Sequence, residues 1–100
     1  MVYFAVHLHA FPGAIKKMKN FENKELKIFR KNGGEVLSAF RPNNFGKDES
    51  KPDEIQLLRI KSLKKFEIFL KDPERVKLYG ERNTAIKQTK VFISEKILSY

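Results

Sequence analysis

A chain of 100 residues, 41% of them hydrophobic, has material for one small core and therefore for a single domain over residues 1–100. Its lack of cysteine excludes disulfides, thiolate metal sites and a cysteine nucleophile, and no apolar run nears the roughly 18 residues of a membrane span. A total of 21 Lys and Arg against 12 Asp and Glu leaves a net charge of +9, which raises a nucleic acid or other polyanion as a partner.

The basic excess is spread through stretches such as "KKMKNFENKELKIFRK", where acidic residues are interleaved, and so reads as solvated helix faces. No secretion pattern of basic segment, apolar core and cleavage site opens the chain, so the expected location is cytoplasmic. The first run, "VYFAVHLHAF", reads as a strand, and its alternation places Phe4, Val6 and Leu8 on one face and Tyr3, His7 and His9 on the other. After the "FPG" turn, apolar residues at helical spacing predict an amphipathic helix over 13–31, closed at "KNGG" by Gly33 and Gly34.

"EVLSAF" follows as a second strand, "RPNNFGKDESKPD" as a polar loop and "EIQLLRI" as a third strand. The face of the third strand stays ambiguous, because Ile55, Leu57 and Arg59 alternate with Gln56, Leu58 and Ile60. Ser62 can cap the next helix, which "KDP" interrupts at Pro73 before a further helical segment through "ERVKLYGERNTAIKQ". "KVFISEKIL" reads as the fourth strand.

The order β-α-β-β-α-β predicts an α+β, ferredoxin-like sandwich: a four-stranded antiparallel sheet with two helices on one face. The bare sheet face must be wetted, bind a ligand or be covered by a second copy. With Phe4, Val6 and Leu8 beneath the helices, Tyr3, His7 and His9 belong to the open face.

At "GGEVLSAF", "DEIQLLRIKSLKKFEIFLKDPERVKLYGER" and "TKVFISEKI" the sequence resembles the dimeric α+β barrel proteins, in particular the family catalogued as domain of unknown function 1330. Gly33, Gly34, Phe69, Pro73, Glu74 and Arg82 occupy the positions of that family's double glycine, helix-two aromatic, Pro-Glu turn and following arginine. Asp72 and Arg75 stand where the family usually has Ser and Tyr, and the Phe11-Pro12 turn replaces its acidic residue after the first strand. The resemblance implies a homodimeric barrel with a small cavity between each sheet and its neighbouring helix or loop.

The candidate ligand-binding residues are Arg82, His7, His9, Tyr3 and Arg59, with Gln56 a weaker candidate. A His-x-His pair puts two nitrogens on one strand face, but a metal needs a third ligand that the sequence does not supply, so structural, interface and proton-transfer roles come first. Arg82 is expected to be partly buried beside Val76, Leu78, Tyr79 and Ile86; a guanidinium there needs either a salt-bridge partner such as Glu74 or Glu81, or an anionic ligand.

No phosphate loop, nucleophile elbow or zinc helix occurs, and no cofactor is implied. Three functions remain open: a homodimer binding a small polar or anionic metabolite, including an enzyme of unassigned reaction; a basic nucleic-acid-binding module; and a structural or regulatory dimer without ligand. An RNA-recognition domain shows aromatics on both central strands, and "DEIQLLRI" has none.

Overall fold

Strand β1 (Val2–Ala10) alternates as its sequence requires, burying Val2, Phe4, Val6 and Leu8 and leaving Tyr3, Ala5 and His7 half-buried on the other face. The computed structural model describes residues 1–46 and 48–100, so Lys47 of the polar loop lies outside the described residues. Helix α1 (Ile15–Lys31) begins after Gly13, which takes φ 77, and turns Met18, Phe21, Glu22, Ile28 and Phe29 into the core.

Strands β2 (Glu35–Phe40) and β3 (Glu54–Ile60) follow where expected. Helix α2 (Leu63–Leu70) is capped by Ser62, whose side chain accepts from the Lys65 amide. The sheet is antiparallel in the order β2-β3-β1-β4, with every helix on one face.

The final helical stretch differs from its sequence reading. It divides into α3 (Pro73–Val76) and α4 (Tyr79–Ala85), and β4 (Ile86–Ser94) begins within the segment whose composition favoured helix. Pairing with β1, from Ala10↔Ile86 through Tyr3↔Ser94, gives those backbone groups sheet partners and overrides local propensity. Ile86 is thus a buried strand residue, and Val76 and Tyr79 are exposed, so the packing expected around Arg82 is supplied by other residues.

Register resolves the ambiguous strand. Phe4 faces Leu58 and Val6 faces Gln56, so Gln56, Leu58 and Ile60 lie beneath the helices while Ile55, Leu57 and Arg59 take the open face. A shift in β2 between Val36 and Ser38 places Phe40 beside Ile55 on that open face.

Phe29 centres the core, meeting Phe4 edge-on at 6.2 Å between ring centroids and Phe69 at 5.1 Å. The two glycines after α1 serve different purposes. Gly33 adopts φ 89 to turn the chain, and Gly34 lets β2 pass against Phe29, where any Cβ would enter the ring. The extent along the thin axis is 15 Å, enough for one sheet and one helix layer, so among the described residues no second layer covers the other sheet face.

Candidate ligand cavity beneath the helices

The helices do not fill the space over β1, β3 and β4. A cavity of about 290 Å³ remains, walled by apolar groups including Phe4, Val6, Phe21, Leu58, Phe66 and Phe69. Polar side chains enter it from five elements: Glu22 and Glu25 of α1, Gln56 of β3, Arg75 of α3, Arg82 of α4 and Thr89 of β4.

Glu22 is buried because it falls in the apolar stripe of α1, four residues after Met18 and seven before Phe29. Its Oε1 accepts from Gln56 Nε2 at 2.8 Å, and the same amide nitrogen donates to Glu54 Oε2 at 2.8 Å. Both amide hydrogens of Gln56 are thereby committed, which fixes its orientation. Burial pushes the Glu22 carboxyl up to about 7; the Gln56 hydrogen bond and Arg82 oppose the rise, while Glu25 and Glu54 add to it.

The two arginines at the cavity differ. Arg75 Nε pairs with Glu25 Oε1 at 2.7 Å, and its guanidinium carbon lies 5.1 Å from the Phe69 ring centroid. Arg82 donates from Nη2 to Thr89 Oγ1 at 2.9 Å and has no carboxylate within ion-pair distance among the described residues. Its two proposed local partners are engaged elsewhere, Glu81 with Lys24 at 2.8 Å and Glu74 with Lys31 at 3.3 Å.

Asp72 completes the turn that presents this segment. Its Oδ1 accepts from the Glu74 amide at 2.9 Å, capping α3 ahead of Pro73 as a serine would. Its carboxyl is held down at about 2 by the Asn32 side-chain amide and then by Lys31.

The remaining candidates lie on the opposite face of the sheet. Tyr3, His7 and His9 keep the open face that the alternation of β1 assigned them, Arg59 joins them there through the register of β3, and none of the four converges with Arg82. His7 packs edge-on against Phe92 at 5.3 Å, and Arg59 Nη2 pairs with Glu35 Oε2 at 2.9 Å. Among the described residues no three His, Asp or Glu side chains gather as a metal would require. Glu22, absent from the sequence candidates, had one available signal: a carboxylate at a core position of an otherwise apolar helix stripe.

No protein-family model matches the chain, and no curated protein matches it. Solved structures do. A protein of unknown function from Rhodopseudomonas palustris superposes with a TM-score of 0.80 at 12% identity, covering 98% of this chain and 83% of that one. An uncharacterised NIPSNAP domain protein from Burkholderia xenovorans gives 0.72 at 9% identity, covering 97% and 95%. A candidate antibiotic biosynthesis monooxygenase from Nitrosomonas europaea gives 0.71 at 10% identity, covering 98% and 100%.

The chain shares with these structures an α+β, ferredoxin-like fold of one four-stranded antiparallel sheet with helices. At such identities the likeness is one of fold, and the chemistry rests on the side chains of this chain. No helix is long and apolar enough to cross a membrane among the described residues.

Proposed function

We propose that this chain is a cytoplasmic, homodimeric small-molecule-binding protein related to the domain of unknown function 1330 family, whose cavity takes a small, largely apolar molecule bearing one anionic oxygen group. One observation carries the reading: Arg82, a half-buried cation without an ion-pair partner among the described residues, lines a cavity whose other walls are mostly aromatic and aliphatic. Such a pocket gains affinity by burying a hydrocarbon body, and a planar guanidinium orients the ligand through its oxygens. Its volume suits a single ring with a short side chain.

The open face supports the dimer. Phe40, Leu57 and Phe92 are 49%, 40% and 56% exposed there, beside half-buried Tyr3 and Ile55, an apolar surface that a second copy would remove from water. That surface also favours a protein partner over RNA, since central strand β3 offers Ile55, Leu57 and Arg59 rather than stacking aromatics.

A thermal-shift screen of aryl and alkyl carboxylates tests the pocket. Binding should raise the melting temperature of the wild type, Arg82→Ala should bind about 10- to 100-fold more weakly, and lysine should restore little. Failure of every carboxylate to shift the wild type, together with a lower melting temperature for ligand-free Arg82→Ala, would make Arg82 a structural residue.

A further inference from the structure

We infer that Glu22 is an acid–base residue that moves a proton on a carbon acid bound in this cavity, the substrate class being a 2-oxo carboxylate with an apolar substituent at C3. The inference rests on the proposed ligand pocket and adds a reaction to it.

The cavity's other groups are unsuited to proton transfer. Arg75 and Glu25 neutralise each other at 2.7 Å, Thr89 is held by Arg82, and cysteine is absent from the chain while both histidines lie across the sheet. Glu22 differs from them all: it is buried among phenylalanines, and Gln56 occupies only its Oε1. Oε2 makes no hydrogen bond among the described residues and is the oxygen left for the cavity. A carboxylate deprived of water is a stronger base, and one that titrates near neutrality can both take and return a proton.

The groups facing it are Glu25 on its own helix, Gln56 and Glu54 on β3, and Arg82 on α4. The first and third of these raise its proton affinity, and Gln56 and Arg82 moderate it. Arg82 is also the group that would face negative charge developing on the ligand.

The step balances without an oxidant or cofactor. Glu22 Oε2 removes a proton from C3, and the C–H electron pair becomes the C2–C3 π bond. The carbonyl pair moves onto the C2 oxygen, where Arg82 stabilises the enolate. The carboxyl then returns the proton to C3, or to the enolate oxygen to release the enol. A 2-oxo acid fits because its carboxylate and carbonyl oxygens lie on adjacent carbons, within reach of one planar guanidinium.

Phenylpyruvate is a suitable probe, with a ring for the aromatic wall and exchangeable benzylic protons. Binding is read by thermal shift, and deuterium incorporation at C3 in D₂O is read by NMR. Wild type should bind and accelerate exchange, with kcat/KM rising as a single ionisation near neutrality. Glu22→Gln, which keeps shape and hydrogen bonding, should still bind but lose exchange about 100-fold or more.

Equal exchange by wild type and a folded, binding-competent Glu22→Gln would overturn the proton-transfer role and leave the pocket standing. Binding without acceleration by wild type would do the same. Absence of binding by wild type would overturn the pocket for this ligand class and the reaction with it. The pH profile of wild type alone decides the matter should Glu22→Gln not fold: a profile flat from pH 5 to 9 would refute Glu22.

Discussion

The two faces of this sheet are built from the same strands, and adjacent residues were put to opposite uses. Phe4, Val6 and Leu8 point into a largely apolar space shared with α1 and α2, whereas Tyr3, Ala5 and His7, one position away, lie on a surface that no helix among the described residues covers. Charge behaves differently on the two sides. Beneath the helices burial pushes the Glu22 carboxyl up to about 7, while on the open side Arg59 and Glu35 pair across adjacent strands at 2.9 Å. A carboxyl is therefore buried and shifted in its titration on one face and ion-paired at the surface on the other, and its residue type does not say which.

The contrast is sharpest in stability. Phe29→Ala on the helix side should cost about 3–5 kcal/mol, because it empties the centre of the aromatic core. Phe92→Ala on the open side should cost under about 1 kcal/mol in the isolated subunit, since its ring is already 56% exposed. Urea unfolding of both variants checks this, and equal losses would mean that the two faces are not energetically distinct.

A second difference is in pH dependence. Glu22 is protonated more readily in the folded state than in the unfolded one, where its carboxyl has its ordinary value of 4.5. The folded state thus binds more protons between about pH 4.5 and 7, and stability should fall as pH rises through that window, by about 3 kcal/mol. Denaturant unfolding of wild type against Glu22→Gln isolates the contribution, because the variant lacks this ionisation. A difference between the two that stays constant across the window would contradict the burial of this carboxyl.

Assembly tests the open face directly. Leu57→Lys and Phe92→Lys add charge to a surface proposed to meet its copy, so light scattering should fall from twice the 11.7 kDa chain mass to one, with the circular dichroism spectrum retained. Wild type that scatters as a monomer at micromolar concentration would remove the dimer.

The smallest expected effect lies at neither face but at the turn before α3. Asp72 titrates near 2, below the ordinary value of 3.8, so its hydrogen bonds stabilise the fold above about pH 4 and are lost as pH falls toward 2. Asp72→Ser should keep the cap and remove this acid limb, whereas Asp72→Ala should lower the melting temperature throughout.

Much of this architecture was legible along the chain. Alternation in "VYFAVHL" separated the faces of β1, the stripe through Met18 and Phe29 marked α1, and Ser62, Pro73 and the double glycine punctuated the helices, because each signal acts between residues within a turn or two of one another. The start of β4 was hidden, since "ERNTAIKQ" reads locally as a continuing helix and only the pairing of Ile86 with Ala10 makes its end a strand. The same holds for the candidate site. Arg82 was found by its spacing, but its neighbours were not: Gln56 entered the cavity once register with β1 chose its face, and Glu22 became unusual once three elements closed over it. Periodicity determined the buried faces of β1 and α1 and the order of helices and strands. What those residues meet, and hence whether a carboxyl is solvated or proton-bearing at neutral pH, was decided by contacts between positions 34 and more residues apart, which no local pattern encodes.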